Sequence, residues 1–140
     1  MIMPIEIRYQ DNGTGVIHIG TGRIAGKDIL DAKSATFASE KRTARYRYGL
    51  IDYSQVEDLD ISRNELESVA ARDKKAAMIA PAVFVAIVVG KDLVYGLARM
   101  WQVFIGDAGW ETQVFRSRSD AEAWVRERIL HTYGAEPTFT

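Results

Sequence analysis

Apolar and polar positions alternate over Ile5–Gln10 (IEIRYQ), which puts Ile5, Ile7 and Tyr9 on one face and predicts a strand. The turn signal DNGTG follows, and Val16–Ile19 gives a second short strand, so the chain opens as a hairpin. Gly20–Gly26 (GTGRIAG) reads as a loop. Ile29, Leu30 and Phe37 at roughly helical spacing predict a helix over Asp28–Lys41. Tyr48–Tyr53 is an apolar third strand. Ser62 and Glu65 have capping-box spacing, and Leu66, Val69, Ala70 and Ala77 supply a buried stripe for the helix they open. The run APAVFVAIVVG is β-branched and reads as a buried fourth strand, beginning at Pro81 and closed by Gly90. Asp92–Ile105 is a helix with a wide apolar arc (Leu93, Val94, Leu97, Met100, Trp101, Phe104), with Arg99 and Gln102 opposite. Trp110–Arg116 alternates as a fifth strand. A last helix starts at Ser119, with Glu122 in capping-box position and Ala121, Trp124, Val125 and Ile129 turned inward.

The order ββαβαβαβα predicts an α/β domain: an N-terminal hairpin, then a five-stranded mixed sheet that is mostly parallel after the hairpin. Nothing resembling a linker or repeat divides the chain. Residues 1–130 read as one domain and residues 131–140 as a flexible tail with little to bury.

Composition narrows the chemistry. A net charge of −1 and a pI near 6.1 argue against a dedicated nucleic-acid binder. The absence of cysteine removes disulfides, thiolate metal sites and cysteine nucleophiles, and fits a cytoplasmic protein. No segment reads as a signal peptide, and the longest apolar run is far short of the ~20 residues of a membrane helix.

Near-motifs fail on inspection. GTGRIAGKD has Thr21 and Asp28 where a phosphate loop needs Gly and Ser or Thr, and Ala25 breaks the dinucleotide pattern. Asp58, Asp60, Ser62 and Asn64 alternate like a calcium loop, but Arg63 and Val69 stand at its required Gly and Glu positions. His18 and His131 have no serine or ligand partner in sequence. No catalytic residue, metal or cofactor is therefore assigned, and the chain reads as non-enzymatic. The basic run at 41–47 reads as a solvated helix end. It contrasts with the acidic stretch at 57–67, an asymmetry suited to orienting a partner or a second copy. The apolar arc of the Asp92–Ile105 helix reads first as core, then as a dimer face or the wall of an apolar pocket.

The stretch Leu50-Ile51-Asp52-Tyr53-Ser54-Gln55-Val56, followed by Asp60-Ile61-Ser62, resembles the strand, loop and helix start of the STAS, or SpoIIAA-like (anti-sigma-factor antagonist), family. DLVYGLARMWQVF and WETQVFRSRSDAEAWV resemble an uncharacterised bacterial branch grouped with STAS and CRAL-TRIO-type domains. The resemblance implies strands in nearly sequential order, helices mainly on one side, no cofactor and no catalysis. It implies a protein-binding regulatory domain of unknown pathway, contacting its partner through residues 52–67: Asp52, Ser54, Asp58, Asp60 and Arg63. The family's phosphorylated serine maps onto Ser62. Arg63 stands where the family prefers Gly, Ile61 replaces a small polar residue, and nearby carboxylates would repel a phosphate, so the helix-cap role of Ser62 is preferred. Homodimerisation is expected. The alternative function is carriage or sensing of a small apolar or lipid ligand, in a pocket of Leu97, Met100, Trp101 and Phe104 closed near Tyr53.

Overall fold

A computed structural model describes residues 4–139. Residues 1–3 of the expected domain and Thr140 of the expected tail lie outside the described residues. Strand β1 (Ile5–Gln10) turns through Asp11–Gly13 into β2 (Gly15–Ala25). Then follow α1 (Gly26–Thr36), α2 (Glu40–Ala44), β3 (Tyr48–Asp60), α3 (Arg63–Ile79), β4 (Phe84–Val89), α4 (Asp92–Ile105), β5 (Glu111–Phe115) and α5 (Arg118–Tyr133). The strands form one mixed five-stranded sheet in the order β1-β2-β3-β4-β5. The β1–β2 pair is antiparallel and the other pairs are parallel.

Given this order, handedness decides where the helices lie. A crossover between parallel strands is right-handed. Successive crossovers that step the same way along a sheet therefore keep their helices on one face. Helices α1, α3 and α4 share that face, packing Ile29, Ala32, Leu66, Val69, Val94 and Trp101 against Ile51, Val85, Ile87 and Val89. No strand follows α5 among the described residues, so this rule does not bind it. It covers the other face, with Ala121, Val125 and Ile129 on Ile17, Leu50, Ala86 and Val88. Every residue of β4 is consequently buried.

Several expected boundaries are corrected. The stretch 20–26 is not a loop: β2 continues to Ala25 and pairs with residues 55–60 of β3, which in turn runs past Tyr53 to Asp60. Register shifts at Ile19/Thr21 and Gly22/Arg23 admit the glycines, and Gly22 takes φ +68° there. The helix expected over Asp28–Lys41 is two helices. Phe37 caps the first, and Ser39 accepts from Arg42 N (3.1 Å) to start the second. Freed from the helix, Phe37 packs edge-on against Tyr46 (5.2 Å between centroids). Strand β4 begins at Phe84 rather than Pro81, because the segment before it is held outside the ladder. Ala80 O accepts from Trp110 Nε1 (2.8 Å) and Ala82 O accepts from the Tyr133 hydroxyl. Trp110 and Arg116 fall just outside β5. The cap of α5 is Ser117, which accepts from Asp120 N, and Ser119 lies in the first turn.

Helix α5 extends through His131 to Tyr133. Beyond it, Thr138 N donates to Asp11 Oδ2 (3.1 Å), and Phe139 stacks edge-on against Tyr48.

Candidate functional site

The residues singled out in the sequence separate into two places. The first is the overhang of β3. Pairing with β4 ends at Tyr53–Val89, so residues 54–60 have β2 on one side and no strand on the other among the described residues. Val56 and Leu59 are buried; Gln55, Glu57, Asp58 and Asp60 are exposed. Glu57, Asp58 and Asp60 carry no ion pair among the described residues.

At the root of the overhang Asp52 is only 8% exposed. Its Oδ1 accepts from Ser54 N (3.0 Å) and Ser54 Oγ (2.6 Å), and its Oδ2 meets Arg118 Nη1 at 3.3 Å. Asp52 thus ties β3, where its pairing with β4 ends, to the start of α5 from beneath the surface. Gly90 sits alongside: a Cβ there would lie 2.7 Å from the Ser54 carbonyl oxygen, so only glycine lets the strands approach this closely.

At the far end Ser62 caps α3. Its Oγ accepts from Glu65 N (3.1 Å), while Glu65 Oε1 accepts from Ser62 N (2.9 Å). The Glu65 carboxylate lies against Gly26, where a Cβ would stand 2.7 Å from its Cδ. A phosphate on Ser62 would have to displace that carboxylate. Arg63 pairs with Glu67 (3.1 Å) and lies over the Phe104 ring (5.5 Å).

The second place is a cavity of about 50 Å³ between α1, α3, α4 and the sheet. Tyr53, Leu97 and Trp101 line it, with Ile29, Leu66 and Val69. Of the other residues expected there, Phe104 packs into the core beside it, and Met100 lies on the outer side of α4, 37% exposed.

Lys33 also lines this cavity, and it belongs to a buried ion pair that sequence reasoning missed. The Lys33 ammonium lies 3.1 Å from Asp73 Oδ1, with both side chains buried. Trp101 Nε1 donates to Asp73 Oδ2 (2.8 Å), and the ammonium lies 5.6 Å from the Trp101 ring centroid. Asp73 Oδ1 is in ion-pair range but has no aligned hydrogen-bond donor among the described residues. Burial pushes the Asp73 carboxyl up in pKa, against the opposing pull of Lys33 and the Trp101 N–H.

The Tyr53 hydroxyl is buried with no partner among the described residues. Burial, then the Asp73 and Asp28 carboxylates, raise its pKa. The ring lies against Gly20, where a Cβ would stand 2.7 Å from Tyr53 Cδ1. Nearby, Thr36 Oγ1 donates to Ala32 O (2.8 Å) and so accepts from His18 Nε2 (2.9 Å). That fixes His18 as the neutral Nε2–H tautomer, with Nδ1 buried and without a partner among the described residues. Burial, then Lys33, pull its pKa down to about 3.

A signal for the missed pair exists in the repeat. The stripe Leu66, Val69/Ala70, Ala77 omits one helical step, and Asp73 fills it. Lys33 stands one turn after Ile29 on the buried side of α1.

Among the described residues no group of three or more His, Asp or Glu side chains is placed to hold a metal ion. None of the described helices is long and apolar enough to cross a membrane. No protein-family model and no curated protein matches the chain. Among solved structures, the chain is similar to an uncharacterised protein of the DUF3478 family, described as having a SpoIIAA-like fold, from Shewanella loihica PV-4. The identity is 19%, the match covers 86% of this chain and 91% of that one, and the TM-score is 0.48.

Proposed function

We propose that the protein is a non-enzymatic recognition module that binds a basic, extended segment of a protein partner along the overhang of β3. The observation that carries this reading is the overhang itself: a strand edge that, among the described residues, has no neighbouring strand and is lined by Glu57, Asp58 and Asp60 without ion-pair partners. An unpaired edge offers backbone hydrogen bonds to an added strand, and exposed carboxylates select its charge. Asp52 and the Ser62 cap hold the two ends of the edge, so it is organised in advance of binding.

The test uses fluorescent peptides of alternating Lys and Val, matched peptides of Glu and Val, and the basic peptide interrupted by proline. Anisotropy should report binding of the first alone, weakening with salt and lost in Asp58→Lys/Asp60→Lys. Amide shift changes should centre on residues 54–60. Equal binding of acidic and basic peptides, or shifts elsewhere, would overturn the reading.

The cavity supports a second reading, uptake of a small apolar ligand bearing one hydrogen-bonding group. The Tyr53 hydroxyl, without a partner among the described residues, favours it, as does the presence of Tyr53 and Lys33 in the lining of an apolar space. About 50 Å³ holds only a few heavy atoms. A drug- or lipid-sized ligand needs roughly 300 Å³ or more, so it would require the cavity to open. Short alcohols and ketones are the appropriate probes, with the Trp101 indole N–H resonance as the readout. A resonance unmoved throughout the series would remove this reading.

A further inference from the structure

Helix α4 turns Val94, Ala98, Trp101 and Ile105 into the core and keeps a second apolar stripe outside. Leu93 is 59% exposed, Val103 76% and Met100 37%. Gly96 completes the stripe, and a Cβ there would have nothing within 4 Å. It forms a shallow notch on the outer surface, bordered by Arg99, Met100 and Val103.

The spacing of these residues is symmetric about the helix midpoint. Leu93 precedes Gly96 by the same interval at which Val103 follows Met100. A two-fold axis level with Ala98, on the outer side of the helix, would therefore lay a second α4 antiparallel on the first. Leu93 of each copy would then face Val103 of the other, and Met100 of each would enter the notch at Gly96 of the other. We propose that this face of α4 is a homodimer interface built on that antiparallel pairing.

Two features favour a second copy as the occupant. The stripe is complementary to itself: an unbranched, adaptable Met meets a Gly that makes room for it. The helix ends are also complementary in charge. Lys91 stands at the N-cap of α4 and Asp107 lies just beyond its C-terminus. Antiparallel pairing brings each ammonium to the other copy's carboxylate and sets the two helix dipoles in opposition. The like-charge approach is at Arg99, which lies at the rim and is turned along its own helix to Gln102 Oε1 (2.8 Å). A single pair of helices ~21 Å long makes a small interface, so the dimer should exchange reversibly rather than form permanently.

Sedimentation equilibrium of the full chain over a wide concentration range tests this. Wild type should show a reversible monomer–dimer equilibrium. Gly96→Leu should weaken it at least tenfold while keeping or raising monomer stability, because leucine favours an exposed helix more than glycine does. Loss of the dimer in this variant thus cannot be put down to unfolding. Val103→Glu should weaken dimerisation similarly. Lys91→Glu and Asp107→Lys should each weaken it by a smaller factor, and the double variant should recover. That recovery is specific to antiparallel pairing. A wild type monomeric at all concentrations would overturn the proposal. So would a dimer unchanged by Gly96→Leu and Val103→Glu, or a monomer whose stripe binds zwitterionic or anionic vesicles instead.

Discussion

Asp73 sits where the repeat of α3 calls for an apolar side chain, and Lys33 answers it from α1. Desolvating two charges costs several kcal/mol each, so such a pair adds little net stability, yet removing one member strands the other. Lys33→Met should therefore lower the urea-unfolding free energy by about 3–5 kcal/mol, while Lys33→Met/Asp73→Leu should recover most of that loss. The sequence reveals each charge as a break in its helix's apolar stripe. It does not reveal that the two breaks face each other across 40 residues of chain, because helix packing decides that. His18 gives the pH counterpart. Unfolded, its imidazole takes a proton near 6.5; folded, not until about 3. Between those values the unfolded chain binds more protons, so stability falls as pH falls, by about 1.4 kcal/mol per unit for this group. Denaturation of wild type and His18→Gln at several pH values should show this slope in their difference. A difference independent of pH would place the native pKa near its ordinary value.

At the scale of elements, interiors were legible and boundaries less so. The helix over Asp92–Ile105 ends where its apolar arc and Gly106 end it. The extensions of β2 and β3 were hidden because glycines and acidic residues read as turns. What makes them strands is mutual pairing, Thr21–Ala25 against Gln55–Asp60, which satisfies backbone groups that neither segment could satisfy alone. The same rule of satisfied backbone made the Ser62 junction readable, since Ser and Glu at capping-box spacing meet α3's first free N–H groups. Ser62→Ala should cost about 1 kcal/mol in chemical denaturation, and Ser62→Asp close to nothing, because aspartate caps as well as serine. If Ser62→Asp proved as costly as alanine, the cap would not be what the serine contributes.

At the scale of the molecule, alternation of strands and helices was enough for a mostly parallel sheet after the hairpin, whereas the sequential strand order came from the resemblance, since right-handed crossovers are compatible with other orders. The side taken by α5 was not legible, since no strand follows it among the described residues to fix its crossing. Its position has a consequence for a chain synthesised from its N-terminus. The helices on the first face all precede β5, so that side can close as the chain emerges. Ile17, Leu50, Ala86 and Val88 on the second face await Ala121, Val125 and Ile129, which are made after every strand of the sheet. Until those residues arrive, the nascent sheet carries a bare apolar surface, open to a chaperone or to another unfinished chain. A chain stopped after Arg116 should keep that condition permanently, binding a hydrophobic dye and aggregating on release. Adding residues 117–139 as a separate peptide should reduce both.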